Sequence, residues 1–474
     1  MDYEAVIGLE THVQLKTKSK MWCGCANEFG APPNTHVCPV CLGLPGVLPV
    51  ANEEALRLTA LTGCLLNCTV SRYAKFDRKN YFYPDMPKNY QITQYDQPST
   101  LNGYVDFEFA GGISRVRITR AHLEEDVGKN FHFERHSGVD FNRAGVPLME
   151  IVSEPDLSSA EMAYEYLNAL KDILVYGGVS DCDMEKGMVR CDVNVSVRPR
   201  GQTELGAKIE IKNMNSFSGV RKALEYEIPR QIEVLTRGGK LVQSTRRWDD
   251  VAGLTEEMRT KEHAHDYRYF PEPDLMPFEP GDTWLAEVSR RAVELPLARK
   301  QRFMRDYQLP AADAQTFVWD APLGNYFEGI ARKAKNPKAA ANWVINNLRA
   351  KMTETQTTLP DLRFQPGAIL ELIELVDGGK ISSKIAQEVF SEVFATGESP
   401  AGIVEQKGLA QVSDTGALER FCDQAIAANP GPAADYRAGK AAALNFLKGQ
   451  VMKLSKGKAN PALVGEILER KLRA

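Results

Sequence analysis

Four cysteines near the start of the chain, Cys23, Cys25, Cys38 and Cys41, restrict what this region can become. They read as C-x-C, a gap of twelve residues holding Pro32, Pro33 and Asn34, then C-P-x-C. That spacing suits a compact loop closed on four thiolates, the pattern of a structural zinc knuckle. His36 is an alternative ligand for one cysteine. Four reduced cysteines in a compact loop without metal are the other reading. A closed structural site keeps no open coordination position, so this metal is not expected to be catalytic.

The chain has 474 residues, enough for about two to four domains. Its 43% hydrophobic and 25% charged residues fit a soluble globular protein. No run approaches the ~18 apolar residues of a membrane span. A strand-like segment begins almost at the N-terminus and leaves no room for a signal or transit peptide, which predicts a cytosolic location. Cysteines there stay mostly reduced. Cys64, Cys68, Cys182, Cys191 and Cys422 are therefore read as small buried residues.

Charge is unevenly spread. The net charge is −4, yet the stretch from Arg437 to Ala474 has nine Lys/Arg against two Asp/Glu. This local +7 leaves −11 for the rest. Such asymmetry suits a tail that meets a polyanion, and equally a solvated helical surface.

Strand-like alternation dominates up to about residue 290, with helical periodicity at 158–174 and 218–235. Past Leu295 the period becomes helical, punctuated by Pro310, Pro337, Pro360, Pro400, Pro430 and Pro432. The expectation is an α+β fold: a mixed-sheet domain over 1–293, a helical domain over 294–404 and a second helical unit over 405–474. The strongest tail helix is expected at about 435–455, with Leu444, Leu447, Val451 and Leu454 on one stripe.

Candidate chemistry starts in the first strand. Ile7, Leu9, Thr11, Val13 and Leu15 share one face, and Gly8, Glu10, His12 and Gln14 the other. Residues 188–197 repeat this pattern, with Arg190, Asp192, Asn194 and Ser196 opposite Cys191, Val193, Val195 and Val197. Lys208, Glu210 and Lys212 alternate likewise. The segment from His122 to Asp126 and the acid Glu150 add further polar positions. Singly, each row reads as a solvated face. Together they read as a lined cavity holding metal and phosphate ligands.

Residues 72–90 hold five basic and six aromatic side chains in nineteen positions. Rings can stack on bases while Lys and Arg take phosphates. A loop pinned to the core by its aromatics is the alternative. Lys79 and Tyr81 are the candidates for substrate contact. Neither a Walker-type phosphate loop nor a G-x-G-x-x-G turn occurs, and no G-x-S-x-G elbow supplies a nucleophile.

Seven segments in order, at 6–15, 38–46, 79–91, 143–156, 188–196, 208–216 and 264–274, resemble the B-subunit (GatB/GatE) family of aspartyl/glutamyl-tRNA(Asn/Gln) amidotransferases. The resemblance covers essentially the whole chain. There is no room for the extra domain of the archaeal E branch. One departure is Thr11, where many relatives carry Val.

The resemblance implies a cradle-like catalytic domain, a helical domain and a YqeY-like tail. It implies ATP-dependent phosphorylation of the side-chain carboxylate of Glu on tRNA-Gln, or Asp on tRNA-Asn, then displacement of phosphate by ammonia. Glutamine hydrolysed in an A subunit supplies that ammonia, and a small C subunit completes the assembly. The mischarged tRNA and the non-discriminating synthetase that makes it are further implied partners. ATP and Mg²⁺ are the implied cofactors, with structural Zn²⁺. By resemblance, Glu10, His12, Glu125 and Glu150 form or adjoin the Mg²⁺ site, with Glu124 competing with Glu125 for the inward position. Lys79, Tyr81, Asp192, Asn194 and Glu210 are expected around nucleotide or aminoacyl end. Lys448, Lys453, Lys456 and Lys458 are expected to grip tRNA.

Two rival readings stand beside this one. A non-catalytic RNA-binding scaffold fits the knuckle and the tail, but acids on a sheet face repel RNA. A stand-alone amide ligase would need its own glutaminase nucleophile, and no such motif is found.

Overall fold

The computed structural model describes residues 2–214, 216–260, 267–411, 415–455 and 458–473. The chain divides into two compact units at 298/299.

In chain order the strands of the first unit are β1 (Tyr3–Gln14), β2 (Thr69–Val70), β3 (Asp77–Asn80), β4 (Tyr90–Thr93), β5 (Thr100–Phe109), β6 (Gly112–Glu125), β7 (Lys129–His132), β8 (Ser137–Asp140), β9 (Pro147–Ser153), β10 (Val189–Pro199), β11 (Ile209–Met214), β12 (Ser244–Asp249), β13 (Leu254–Thr260) and β14 (Phe270–Pro271). Nine of them form one sheet in the order β13-β12-β11-β10-β1-β9-β6-β5-β2. All neighbours are antiparallel except β11 and β12, which run parallel. A smaller sheet runs β14-β3-β4, and β7 pairs with β8.

The N-terminal strand is thus the central one, flanked by β9 and β10. Its alternation decides the layout. Ile7, Leu9, Thr11 and Val13 are at most 2% exposed and face the core. Thr11 sits opposite Cys191 in the ladder. Helices α1 (Glu53–Leu65), α2 (Ala160–Tyr176) and α3 (Phe217–Thr236) contribute Leu61, Tyr166, Leu167 and Leu224 to the same core. Burying each such side chain contributes about 1.5–3 kcal/mol. Each helix starts at a polar cap: Asn52, Ser159 and Ser216 accept from the first-turn amides. Covering one sheet face with helices leaves the other face, with Glu10 and His12, for chemistry.

A short α4 (Asp282–Ser289) follows, and beyond it the chain is helical: α5 (Pro296–Asp306), α6 (Ala311–Trp319), α7 (Ala321–Ala331), α8 (Pro337–Asn342) continuing through a π turn into α9 (Arg349–Thr355), α10 (Pro366–Asp377), α11 (Ser383–Thr396), α12 (Pro400–Gln406), α13 (Thr415–Ala428), α14 (Pro430–Arg437), α15 (Ala442–Leu454) and α16 (Pro461–Arg473). The expected α+β architecture, a large mixed sheet followed by helices, is what the structure shows. The second unit holds two separate apolar clusters, one from Phe303 to Val404 and one from Leu418 to Leu472.

The expected helix at 435–455 is broken. Helix α14 stops at Arg437 and α15 starts at Ala442, because Gly439 takes φ +94°, a left-handed value that ends a helix. Leu444, Leu447 and Val451 are buried as expected, but Leu454 is exposed. Cys182, Cys191 and Cys422 are buried, whereas Cys64 and Cys68 are only half-buried. No helix among the described residues is long and apolar enough to cross a membrane.

Candidate active site

Register assembles the polar face. Glu10 lies opposite Asp192, and His12 opposite Glu150 on its other side. Glu150 in turn pairs with His122, and Asn194 with Glu210. Five adjacent strands, β11, β10, β1, β9 and β6, therefore lay acids, imidazoles and an amide in a band across the sheet.

Two groups in this band have metal-ligand spacing. Ligand atoms of His12, Glu124 and Glu150 lie within 4.8 Å of one another, and so do those of Glu10, Asp192 and Glu210. In the first group His12 Nε2 is 3.4 Å from Glu124 Oε1 and 3.9 Å from Glu150 Oε2. Burial opposes charge on Glu150, but His122, His12 and Lys79 outweigh it and hold the carboxyl below its ordinary range. In the second group Asn194 Nδ2 donates to Glu10 Oε1 at 2.8 Å. Lys212 Nζ donates to Asp192 Oδ2 at 2.8 Å, and Thr245 Oγ1 to Glu210 Oε2 at 2.8 Å. Burial, then repulsion from Glu150, raises Glu10.

The donors fit hard divalent cations. Carboxylates and an amide carbonyl suit Mg²⁺, which takes few protein ligands and keeps waters, and the imidazole extends the first group to Mn²⁺. Asn194 Oδ1 is buried beside the second group and, among the described residues, has no hydrogen-bond partner, which leaves it able to ligate a cation there.

The smaller sheet faces this band. Arg78 forks onto Glu272 with bonds of 2.6 and 2.8 Å and lies over the Tyr90 ring, fixing β3 against β14. The next residue, Lys79, sits 4.9 Å from the Tyr267 ring centre. Burial would lower its ammonium, but the Tyr269, Glu124 and Glu150 oxygens prevail and raise it, so it stays charged. Lys79, Tyr81, His12, Glu124 and Asp192 line a cavity of about 250 Å³. Burial, then nearby carboxylates, raises the Tyr81 phenol.

Glu125 belongs to neither metal-spaced group. Glu124 shares the parity of His122, whereas Glu125 shares that of Leu123. Its Oε2 accepts from Lys88 Nζ at 2.7 Å and its Oε1 from the Ile92 amide at 2.9 Å. It lines the cavity with both oxygens already engaged. Beside it Asp126, 2% exposed, accepts from Arg190 and Gln14 at 2.8 Å each. Sequence pattern counts the His122–Asp126 segment, Arg190 and Lys212 among the polar rows of the cavity, but neither it nor the resemblance gives His122, Asp126, Arg190, Lys212 or Lys88 a role. Nothing short-range reveals Lys88.

The cysteine knuckle fits a tetrathiolate metal. All four sulfurs lie within 4.8 Å of one another and none is in a disulfide. Cys41 is held below the ordinary thiol range by bonds from the Cys23 thiol and the Cys38 amide, with the Lys20 ammonium nearby. His36 stands outside this group.

In the tail, Lys453 is exposed, while Lys448 lies half-buried over Gly465. Lys458 donates to the Gly408 carbonyl. Lys456 lies outside the described residues.

Comparison with known proteins shows the family. A family model described as the GatB/GatE catalytic domain matches residues 5–286, and one described as the GatB domain matches 325–472. The chain belongs to the GatB/GatE family. It is 52% identical to the B subunit of the aspartyl/glutamyl-tRNA(Asn/Gln) amidotransferase from Thermoanaerobacter sp. (strain X514), over 100% of both chains. It is 53% identical to the protein of that name from Methylacidiphilum infernorum (isolate V4), over 100% of this chain and 99% of the relative. The one from Persephonella marina (strain DSM 14350 / EX-H1) is 50% identical, again over 100% of both.

Proposed function

We propose that this chain is the B subunit of an aspartyl/glutamyl-tRNA(Asn/Gln) amidotransferase and carries its activating and amidating site. Likeness over the whole chain to proteins of that name is the observation that carries this reading. The partners are then an A subunit with glutaminase activity, a C subunit, mischarged tRNA-Gln or tRNA-Asn and the synthetase that mischarges it. The same reading divides the chain at 293/294 and 404/405. The two apolar clusters of the second unit support a helical segment and a separate tail.

The chemistry follows from the side chains. A carboxylate resists amidation because its leaving group would be oxide. Its oxygen therefore attacks the γ-phosphorus of ATP, ADP departs, and the acyl phosphate has phosphate as leaving group. Ammonia then forms the C–N bond as the C–O bond to phosphate breaks. Divalent cations, when bound, neutralise the phosphoryl oxygens. His12, Glu124 and Glu150 would hold one, and Glu10, Asp192 and Glu210 with Asn194 the other. Lys79 offers a fixed positive charge to the phosphoryl oxygens. Tyr81 shapes the wall beside it. The proton that ammonia gives up leaves on the departing phosphate, so Glu10 remains a cation ligand throughout. Glu125, with Lys88, shapes the wall rather than holding cation. A structural Zn²⁺ in the knuckle stands apart from these steps. Lys448, Lys453, Lys456 and Lys458 supply tRNA contacts that read phosphate rather than base.

The test is ATP-dependent conversion of Glu-tRNA-Gln and Asp-tRNA-Asn with ammonium as donor, using this chain co-purified with its A and C partners. Activity should fall at least ~100-fold in Glu10→Gln with tRNA affinity unchanged. A wild-type complex that binds tRNA yet amidates neither substrate would sink the reading.

A further inference from the structure

A glycine of the knuckle lies against Lys88, whose ammonium bonds the cavity-lining Glu125. Gly43 follows Cys41 by two residues and is held at φ +64° by the turn in which Leu42 N–H donates to Cys38 O and Gly43 N–H to Val40 O. A β-carbon on Gly43 would come within 2.5 Å of Lys88 Cγ, 3.2 Å of its Cα and 3.3 Å of its Cβ. Only a bare glycine lets the turn lie this close to the lysine stem. Lys88 has a side chain 9% exposed, and its Nζ bonds the wholly buried Glu125.

A second contact closes the loop. Gly145, at φ +81°, would place a β-carbon 3.6 Å from Cys41 Cβ, 3.8 Å from Lys20 Cδ and 3.9 Å from Glu125 Oε2. Lys20 is fully buried, with Nζ 3.6 Å from Cys41 Sγ and 3.2 Å from the Phe141 carbonyl. A tetrathiolate around a dication carries net negative charge, so a buried ammonium against one sulfur suits the loaded site.

We propose that the metal-loaded knuckle is the buttress that fixes Lys88, and through it Glu125, in the cavity wall, with Gly43 as the point of contact. Without metal the four sulfurs lose the ion that ties residues 23–25 to residues 38–41, the turn at residues 38–43 opens, and the lysine stem loses its support. Gly43 is thus a positioning residue that acts through Lys88. The importance of the wall rests on the amidation reading above, but the contact itself does not.

The test uses the full-length chain loaded with Zn²⁺ alone, then stripped with a chelator. A brief pulse of an amine-acylating ester and mass spectrometry give the labelling rate of Lys88 relative to Lys186, whose side chain is 47% exposed. Stripping should raise that ratio by roughly tenfold or more, the population shift expected when an ordinary charge-assisted contact is lost. Gly43→Ala should show the raised ratio while still holding zinc. Gly46→Ala is the control: it has φ +88° and nothing within 4 Å of an added β-carbon, so it shares the backbone cost without the contact. It should behave as wild type. A ratio unmoved by stripping overturns the proposal, as do equal ratios in the two loaded variants or a wild type that takes up no zinc. If Gly43→Ala fails to fold, the stripping arm still decides. No arm requires tRNA or turnover, so failure here leaves amidation standing.

Discussion

His122 Nε2 lies 3.2 Å from Glu150 Oε2, the same carboxylate oxygen that His12 faces from its own strand. The oxygen nearest the first metal-spaced group is therefore aimed by a buried imidazole. Supporting residues of this kind typically change metal affinity 10–100-fold. His122→Ala should weaken Mg²⁺ or Mn²⁺ binding to the nucleotide-free chain by about that factor in calorimetric titration. Unchanged affinity would remove His122 from the site.

Asp126 gives a pH-dependent prediction. Burial opposes its charge, but Arg190, Arg143 and Gln14 prevail and lower it from the ordinary 3.8. A depressed carboxyl stabilises the fold fully above its unfolded value. That contribution is lost as pH falls through the lower folded one. Asp126→Ala takes the buried carboxylate from Arg190, whose side chain is 39% exposed and can turn to solvent, and should cost about 1–3 kcal/mol at neutral pH. The gap between wild type and variant should shrink below pH 3.8. Urea unfolding of the full chain at several pH values measures it, and a gap constant with pH contradicts the assignment.

Not every buried acid here is chemical. Glu227 of α3 is fully buried and bonds Arg230 at 2.6 Å, Thr255 at 2.7 Å and Gln231 at 3.0 Å, on the core side of the sheet. Glu227→Ala should lose about 3–5 kcal/mol of stability. Below its lowered melting point it should keep wild-type amidation. A kcat defect in folded protein would show that this network reaches the site.

Lys453 separates phosphate binding from solvated surface in the tail. Its replacement by Ala should weaken tRNA binding alike for tRNA-Gln and tRNA-Asn, and reduce the log–log salt slope by about 1. An unchanged slope assigns the residue to solvent.

Much of this arrangement is legible in the strands themselves. Alternation alone separates Glu10 and His12 from Ile7 and Leu9, and Asp192 and Asn194 from Val193 and Val195. What alternation cannot supply is sheet order. A row of acids on β1 says nothing about whether β10 or β6 lies beside it, so the strands singly suggest one cation site where the geometry has two groups. Choosing between Glu124 and Glu125 needs the parity of β6, which only its pairing with β9 fixes. Lys88 sits between Pro87 and Asn89 in a loop with no period at all. Its importance comes from a through-space approach by Gly43, a kind of contact that carries no local signature. In the tail, hydrophobic periodicity runs straight through Gly439, whose left-handed turn outweighs it.

The position of β1 at the middle of the sheet has a bearing on biosynthesis. Glu10 and His12 leave the ribosome well before the strands that flank them, which begin only at Pro147 and Val189. Until those arrive, the founding strand has two unpaired edges and only a fraction of its cation ligands. Such long-range closure is slow and leaves the early chain open to misassociation. The strand's apolar face, with Ile7, Leu9 and Val13, stays uncovered meanwhile, and only the row of Glu10, His12 and Gln14 opposes sticking. Messages cut short before β10 would yield chains unable to assemble the full ligand band.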